Sequence, residues 1–273
     1  MTAAETPSDL EQLARDIARE AGALAHRRRE EGVQIAATKS TLADIVTAAD
    51  REVEALIRER LAQKRPDDGF FGEESGAEQG TSPITWVVDP IDGTVNYAYG
   101  IPSYAVSIAA VEGEPDPTCW RALAGAVYAP ALGELFSAAV GGGAWLRAGD
   151  AHAHRLAVRE HAPDAGALLA TGFGYDPATH VGDLARLERV MPLARDIRRI
   201  GSAALDLCYV AAGRLDGYFE RGLNPWDHAA GALVVEEAGG RVGGLPGGRP
   251  GTPLTIAAGA ELFVRLDEAI DGR

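Results

Sequence analysis

The sequence predicts a two-part fold, an α+β half followed by an α/β half, on three observations. Two helical stripes come first, and a run of strands separated by Gly, Pro and Asp turns then extends to about residue 158. After that, strands and helices alternate to the end of the chain. The Gly-rich stretch VGGGAWLRAGD near 140–150 is the candidate junction. It reads either as a hinge between halves at 1–145 and 146–273 or as a hairpin turn inside one continuous domain.

Taken in order, Leu10, Leu13, Ala14, Ile17, Ala18, Ala21, Leu24 and Ala25 recur at helical spacing until Gly32, and Ser8 and Glu11 have capping-box spacing. A second helix follows Thr47, with Val53, Leu56, Ile57 and Leu61 on one face and Pro66 beyond its end. ITWVVD, YAVSIAAV, ALAGAVYA, ELFSAAV and HRLAVRE read as strands. In the second half ALLATGF is a strand, 177–195 a helix, DIRRIG a strand, 202–212 a helix and DGYFE a strand. A helix at 225–238, the short GRVG strand, PLTIAAG and a helix near 260–270 complete the chain. There is no internal repeat, and LPGGRPGTP reads as a surface loop.

A chain of 273 residues with 46% apolar and 24% charged residues can bury a large core. Its net charge of -14 argues against a nucleic-acid backbone or an anionic membrane as the main partner. An anionic substrate stays open, because a bound cation reverses the local sign. Cys119 and Cys208 lack metal-ligand spacing and suggest no disulfide framework, which fits a cytoplasmic protein. The N-terminus is acidic and amphipathic, unlike a signal peptide, and no apolar run approaches the ~20 residues that span a bilayer.

Four segments place carboxylates where a fold gains little from them. They are Glu73 and Glu74 in FFGEES, Asp89 and Asp92 in DPIDGT, Asp50 in TAADREVE, and Asp227 in NPWDHAAG. Each also has an ordinary use. Asp50 stands three after Thr47, and Asp227 three after Asn224 with Pro225 at the first helical position, so both fit helix caps. Glu73 and Glu74 fit a solvated strand end, and the Asp89 to Gly93 stretch fits a turn. What the four share is the chemistry of a hard divalent cation such as Mg2+, which takes oxygen ligands, usually few carboxylates, and leaves positions to water and phosphate. Asp89 at a strand end and Asp92 one turn later can converge, Pro90 stiffens the geometry, and the Ile91 carbonyl offers another oxygen. Two metals about 3.5–4 Å apart need a bridging carboxylate, which the extra acids supply. Gly93 lets a phosphate approach the backbone, Thr94 offers a hydroxyl, and a helix starting near Thr94 would aim free N–H groups at the phosphate.

Other chemistries lack their signatures. The six histidines (His26, His152, His154, His161, His180 and His228) are scattered and mostly read as surface residues. No zinc spacing, GxGxxG, GxxxxGK(S/T) or GxSxG motif occurs. Metal-assisted phosphoryl chemistry is the reading left.

At these residues the sequence resembles the inositol monophosphatase family. WVVDPIDGTVNY looks like that family's first motif, W-x-x-D-P-I/L-D-G-T-x-N-F/Y, and NPWDHAAGALVVEEAGG like its second, W-D-x-A-A-G followed by E-A-G-G. FGEES and KSTLADIVTAADREVE match further family segments in the usual order, and the similarity runs from about Leu10 to the C-terminal helix. The resemblance implies a layered αβαβα sandwich of the inositol monophosphatase and fructose-1,6-bisphosphatase type, a site between the halves, a homodimer, Mg2+ dependence and sensitivity to Li+. Carried over by position, it implies that Glu73, Asp89 and the Ile91 carbonyl hold one Mg2+ and that Asp89, Asp92 and Asp227 hold a second. A third, looser ion is reached through Glu73 and water. Gly93 and Thr94 would meet the phosphate, while Thr94 and Asp50, with Glu73, would orient and deprotonate the attacking water. Lys39 matches a family lysine near the site and equally fits a solvated loop lysine.

The resemblance also bears on the substrate. Glu220, seven residues before Asp227, matches a glutamate that accepts hydroxyl hydrogen bonds in inositol phosphatases, and it also fits a strand-end residue paired with Arg221. Ser202 and Ala203 match the loop whose backbone faces the sugar ring. Together these favour a small polyol monophosphate, with myo-inositol 1-phosphate first. Related branches cleave fructose 1,6-bisphosphate, histidinol phosphate, 3'-phosphoadenosine phosphate or NADP, and the variant segments GLNPWD and TGFGYDP leave the alcohol open. Some bacterial members bind the transcription machinery, so a non-catalytic regulator is the alternative of another class.

Overall fold

The computed structural model describes residues 6–32, 35–38, 45–160, 165–174 and 176–272; Lys39 and the Thr47 side chain lie outside the description. Helix α1 (Pro7–Glu31) leads to a hairpin of β1 (Ile35–Thr38) and β2 (Ile45–Thr47), and then to α2 (Ala48–Lys64). Next come β3 (Gly69–Gly72), β4 (Gly76–Glu78), β5 (Ile84–Asp92), the short α3 (Thr94–Tyr99), β6 (Ala105–Glu112), β7 (Arg121–Ala129), β8 (Glu134–Ala139), β9 (Gly143–Ala148) and β10 (His154–Arg155). The remainder is β11 (Ala167–Thr171), α4 (His180–Val190), β12 (Ala194–Arg198), α5 (Ala203–Ala211), β13 (Gly217–Glu220), α6 (Pro225–Glu237), β14 (Arg241–Gly243), β15 (Thr255–Ala258) and α7 (Ala260–Asp271).

Two sheets organise these elements. An eight-stranded sheet has the order β10-β9-β8-β7-β6-β5-β3-β4, and a five-stranded sheet the order β12-β11-β13-β15-β14. The large sheet is antiparallel except where β3 runs parallel to β5, and the small one is parallel at β12, β11 and β13. Both faces of the large sheet are apolar, so both must be covered. Along β5 the period of two sends Trp86 and Val88 to a core beneath α1 and α2, with Ile17 and Ile57, while Val87 joins Leu205, Leu207 and Val234 of α5 and α6. The small sheet buries Leu169 and Ile256 against Leu266 on its outer face, where α4 and α7 lie. The result is the layered αβαβα sandwich, with α5 and α6 between the sheets. Gly125 makes that middle layer possible, because a Cβ there would stand 3.0 Å from Ala230 Cα on α6.

Several local expectations are corrected. The cap of α1 is Thr6 with Asp9, not Ser8 with Glu11. Thr6 N–H donates to Asp9 Oδ2 at 2.9 Å, Asp9 N–H donates to Thr6 Oγ1 at 3.3 Å, and Pro7 takes the first helical position, where its missing N–H costs nothing. HRLAVRE pairs as a strand only at His154–Arg155. Leu156 N–H still donates to Ala144 O of β9 at 2.8 Å, and two residues on Val158 N–H donates instead to Ala238 O at the end of α6. The helix expected over 177–195 is α4 flanked by two 3-10 turns, Pro177–Thr179 and Met191–Leu193, and β12 begins at Ala194, two residues before DIRRIG. Pro192 has no N–H to continue the helix. His228 is not a surface residue; it is 1% exposed. The stretch 140–150 forms the β8–β9 turn, β9 itself and the turn after it. Among the described residues, no helix is long and apolar enough to cross a membrane.

Candidate active site

Residues three apart on a regular strand point to opposite faces. Asp89 and Asp92 do not, because β5 carries a bulge: Asp89 pairs with Ser107 and Asp92 with Ala105, so three steps on β5 match two on β6. Pro90 sits inside the bulge, where a missing N–H breaks no ladder bond. Both carboxylates therefore face the middle layer. Asp92, expected to begin a turn, is the last residue of the strand.

Each neighbouring acid arrives from a different element. Glu73 follows β3, and its N–H donates to the Val88 carbonyl at 3.2 Å, which sets it beside Asp89. Asp50 is buried in the first turn of α2 and accepts the Thr94 hydroxyl at 3.3 Å; that hydroxyl also lies 3.0 Å from the Ile91 carbonyl. Asp227 is the third residue of α6, and its Oδ2 accepts the Asn224 N–H at 2.6 Å. The capping use and the site use thus coexist, one oxygen tying the helix start while the side chain lines the cavity. Glu74 parts from Glu73 and lies 3.7 Å from Arg51.

Asp92 is held across the layers. The Ser202 hydroxyl and the Ala204 N–H both donate to its Oδ2, at 2.5 and 2.8 Å, and Ser202 caps α5. The positive ends of α5 and α6 therefore both meet this acidic group. Gly93 is a positive-φ residue (φ 91°) preceding α3; a Cβ there would stand 2.9 Å from Ser103 O and 3.0 Å from Gly201 O. Only a bare backbone fits that approach.

A cavity of about 250 Å³ is lined by Glu73, Asp89, Ile91, Asp92, Thr94 and Asp227 together with Ala203 and Glu220. Burial, reinforced by the charges of Glu73, Asp92, Asp227 and Asp50, pushes the Asp89 carboxyl well above the usual range. Asp227 is raised by burial and by Asp92 and Glu73. Asp92 is pushed up to about 6 by burial, against the lowering effect of the Ser202 and Ala204 donors. Glu220, whose Oε2 accepts the Tyr218 hydroxyl at 2.6 Å, is raised to about 7, chiefly by burial. Among the described residues no three His, Cys, Asp or Glu side chains form a ready cation cage. The donor chemistry nonetheless fits Mg2+, which needs only one or two carboxylates and keeps water and phosphate as its other ligands. A divalent cation is also what would relieve mutual repulsion among these buried acids.

Three contributors escaped the sequence reading. Asn96 Nδ2 donates to Ser103 O at 2.7 Å and Ile200 O at 2.8 Å, pinning the segment before α5 against α3. Arg199 brings a cation to the cavity wall and lowers the pKa of Glu220. Gly172 stands where any Cβ would strike the Glu220 carboxylate. Asn96 lies inside the first motif, but its partners are 104 residues away in the case of Ile200, beyond any local pattern.

The model of the inositol monophosphatase family matches residues 6–269. The inositol-1-monophosphatase SuhB of Mycobacterium tuberculosis (strain ATCC 25618 / H37Rv) is 47% identical over 250 residues, covering 86% of this chain and 84% of that protein. The Nus factor SuhB of Haemophilus influenzae is 42% identical over 227 residues, covering 82% and 81%. The solved structure of Mycobacterium tuberculosis SuhB superposes with a TM-score of 0.81 at 43% identity, covering 98% of each chain.

Proposed function

The chain belongs to the inositol monophosphatase family, and on that premise we propose that it is a Mg2+-dependent phosphate monoester hydrolase acting on myo-inositol 1-phosphate. The observation that carries this reading is the shared cavity, lined by Glu73, Asp89, Asp92, Asp227, Glu220 and Thr94, with Asp50 behind the Thr94 hydroxyl.

Glu73, Asp89, the Ile91 carbonyl, Asp92 and Asp227 are the groups that would hold two or three Mg2+ ions. When bound, such ions lower the pKa of a coordinated water and offset the charge on the leaving oxygen. The chain's own residues orient and exchange protons. Thr94 Oγ1 spends its hydrogen on Asp50 or the Ile91 carbonyl, so its lone pairs accept a hydrogen bond from the attacking water. The proton then moves through the hydroxyl to Asp50, and Glu73 aligns the water. Gly93 admits the phosphate to the backbone, while Ala203 borders the polyol and Glu220 receives its hydroxyls. The same membership supports a cytoplasmic homodimer.

A panel of phosphate esters assayed with Mg2+, with and without Li+, tests the substrate. Preference for myo-inositol 1-phosphate supports the reading. Clear preference for fructose 1,6-bisphosphate, histidinol phosphate, 3'-phosphoadenosine phosphate or NADP overturns the inositol assignment while keeping the hydrolase class. The Haemophilus influenzae relative named a Nus factor favours a second reading, a regulator that binds the transcription machinery. Retention of polymerase from lysate by Asp92→Asn, together with no hydrolysis by the unmodified protein, would select that reading.

A further inference from the structure

A second cavity, of about 130 Å³, opens on the far face of the large sheet and shares no lining residue with the first. Its walls are Glu11 and Arg15 of α1, Leu135 and Ser137 of β8, and Trp145 and Arg147 of β9. The polar groups here are unequally satisfied. Glu11 Oε1 accepts the Ser137 hydroxyl at 2.7 Å and lies 3.6 Å from Arg15 Nη1, and Trp145 Nε1 donates to Gly142 O at 3.1 Å.

Arg147 differs from its neighbours. Its Nε is buried without a hydrogen-bond partner, and among the described residues its guanidinium has no ion-pair partner. The residue as a whole is half-buried, and its guanidinium keeps its charge because it does not shed its proton. Two arginines against one glutamate leave one positive charge in excess at this cleft, although the whole chain carries -14. The indole of Trp145 forms an apolar wall, which strengthens a short-range ionic contact.

We propose that this cleft is a binding site for a compact oxyanion, phosphate or sulfate, with Arg147 and Arg15 as its donors. The two terminal Nη groups of a guanidinium match two oxygens of such an ion, and in Arg147 only these are available, since its Nε is closed off. Size points the same way. The cleft has about half the volume of the active-site cavity. An inorganic ion fits it better than a whole sugar phosphate. The inference does not depend on the hydrolase reading.

The test titrates inorganic phosphate into the full chain in EDTA, so that no divalent cation recruits phosphate to the acidic cavity. Chloride at matched ionic strength is the control, and thermal unfolding is the readout. A saturable rise in Tm is expected, reproduced by sulfate and retained in Asp92→Asn. Arg147→Gln should weaken it by about tenfold or more, and Arg15→Gln provides the second variant should the first not fold. An equal response in both arginine variants, a response lost only in Asp92→Asn, or no saturable response in the unmodified chain would overturn the proposal.

Discussion

Ser202 donates its hydroxyl to Asp92 Oδ2 at 2.5 Å across 110 residues of sequence. The bond joins the end of β5 to the cap of α5, so the large sheet and the middle layer share one buried carboxylate. Ser202→Ala removes a donor from that carboxylate and an acceptor from the α5 cap, where Ser202 Oγ accepts the Leu205 N–H. A loss of ~1–3 kcal/mol in unfolding free energy is expected, measurable by urea denaturation; a loss below ~0.5 kcal/mol would show that the contact holds little.

Asp92→Asn keeps the shape and can still accept hydrogen bonds, but removes a charge from the proposed cation site. Mg2+-dependent phosphate release should nearly vanish, with far-UV circular dichroism and Tm close to those of the unmodified chain. Activity within about threefold of the original would be incompatible with the proposed role of Asp92.

The Glu220 carboxyl titrates at about 7 in the folded chain against an ordinary 4.5. Below 4.5 both states hold the proton. As pH rises toward 7 the unfolded chain releases it first, so Glu220 lowers stability progressively across that window and by a constant amount above it. Glu220→Gln should therefore flatten part of the fall in Tm between pH 4.5 and about 7. The same variant should raise KM for a polyol phosphate more than for a phosphate ester lacking hydroxyls. Identical Tm-against-pH curves would remove Glu220 from this account.

Gly172→Ala places a Cβ against the Glu220 carboxylate. With the glutamate displaced and the carboxylate cluster untouched, KM for the preferred ester should rise by about tenfold while the Mg2+ concentration for half-maximal activity stays constant. A parallel shift in Mg2+ dependence would mean that the Glu220 contact and the carboxylate cluster are not separable.

Cation binding can be read without turnover. Mg2+ should raise Tm saturably, adding ~2.7 kcal/mol of stability at a hundredfold excess over Kd. Asp89→Asn and Asp227→Asn should each reduce that response, since both carboxyls are pushed up by burial and by the charges of Glu73 and Asp92, the repulsion that a bound cation would relieve. A response unchanged in both variants would place the ion elsewhere.

Much of the fold was legible because it rests on local spacing. Leu10, Ala14, Ile17, Ala21 and Leu24 recur at helical intervals, and all are buried in α1. The β5 run was equally plain, since its alternation serves two buried faces. Errors fell where one residue outweighs a pattern. Pro7 set the true start of α1, Pro192 ended a helix that periodicity would have continued, and Ala238 holds the chain after Leu156 away from the sheet. His228, Asn96 and Arg199 gave little local signal, because their surroundings come from distant segments.

The sequence alone determined which groups could do chemistry, namely carboxylates placed at the ends of apolar runs, followed by a glycine and a hydroxyl. Spacing is short-range information, and it sufficed to show that Asp89, Asp92, Gly93 and Thr94 belong together. Only the tertiary structure decided where they face. The bulge in β5 turns Asp89 and Asp92 to one side. The packing of α2, α5 and α6 against opposite faces of the large sheet brings Asp50, Ser202 and Asp227 to that edge. Those approaches follow from which apolar faces must be covered by which helices, a condition the whole chain satisfies at once and no single stretch of it contains.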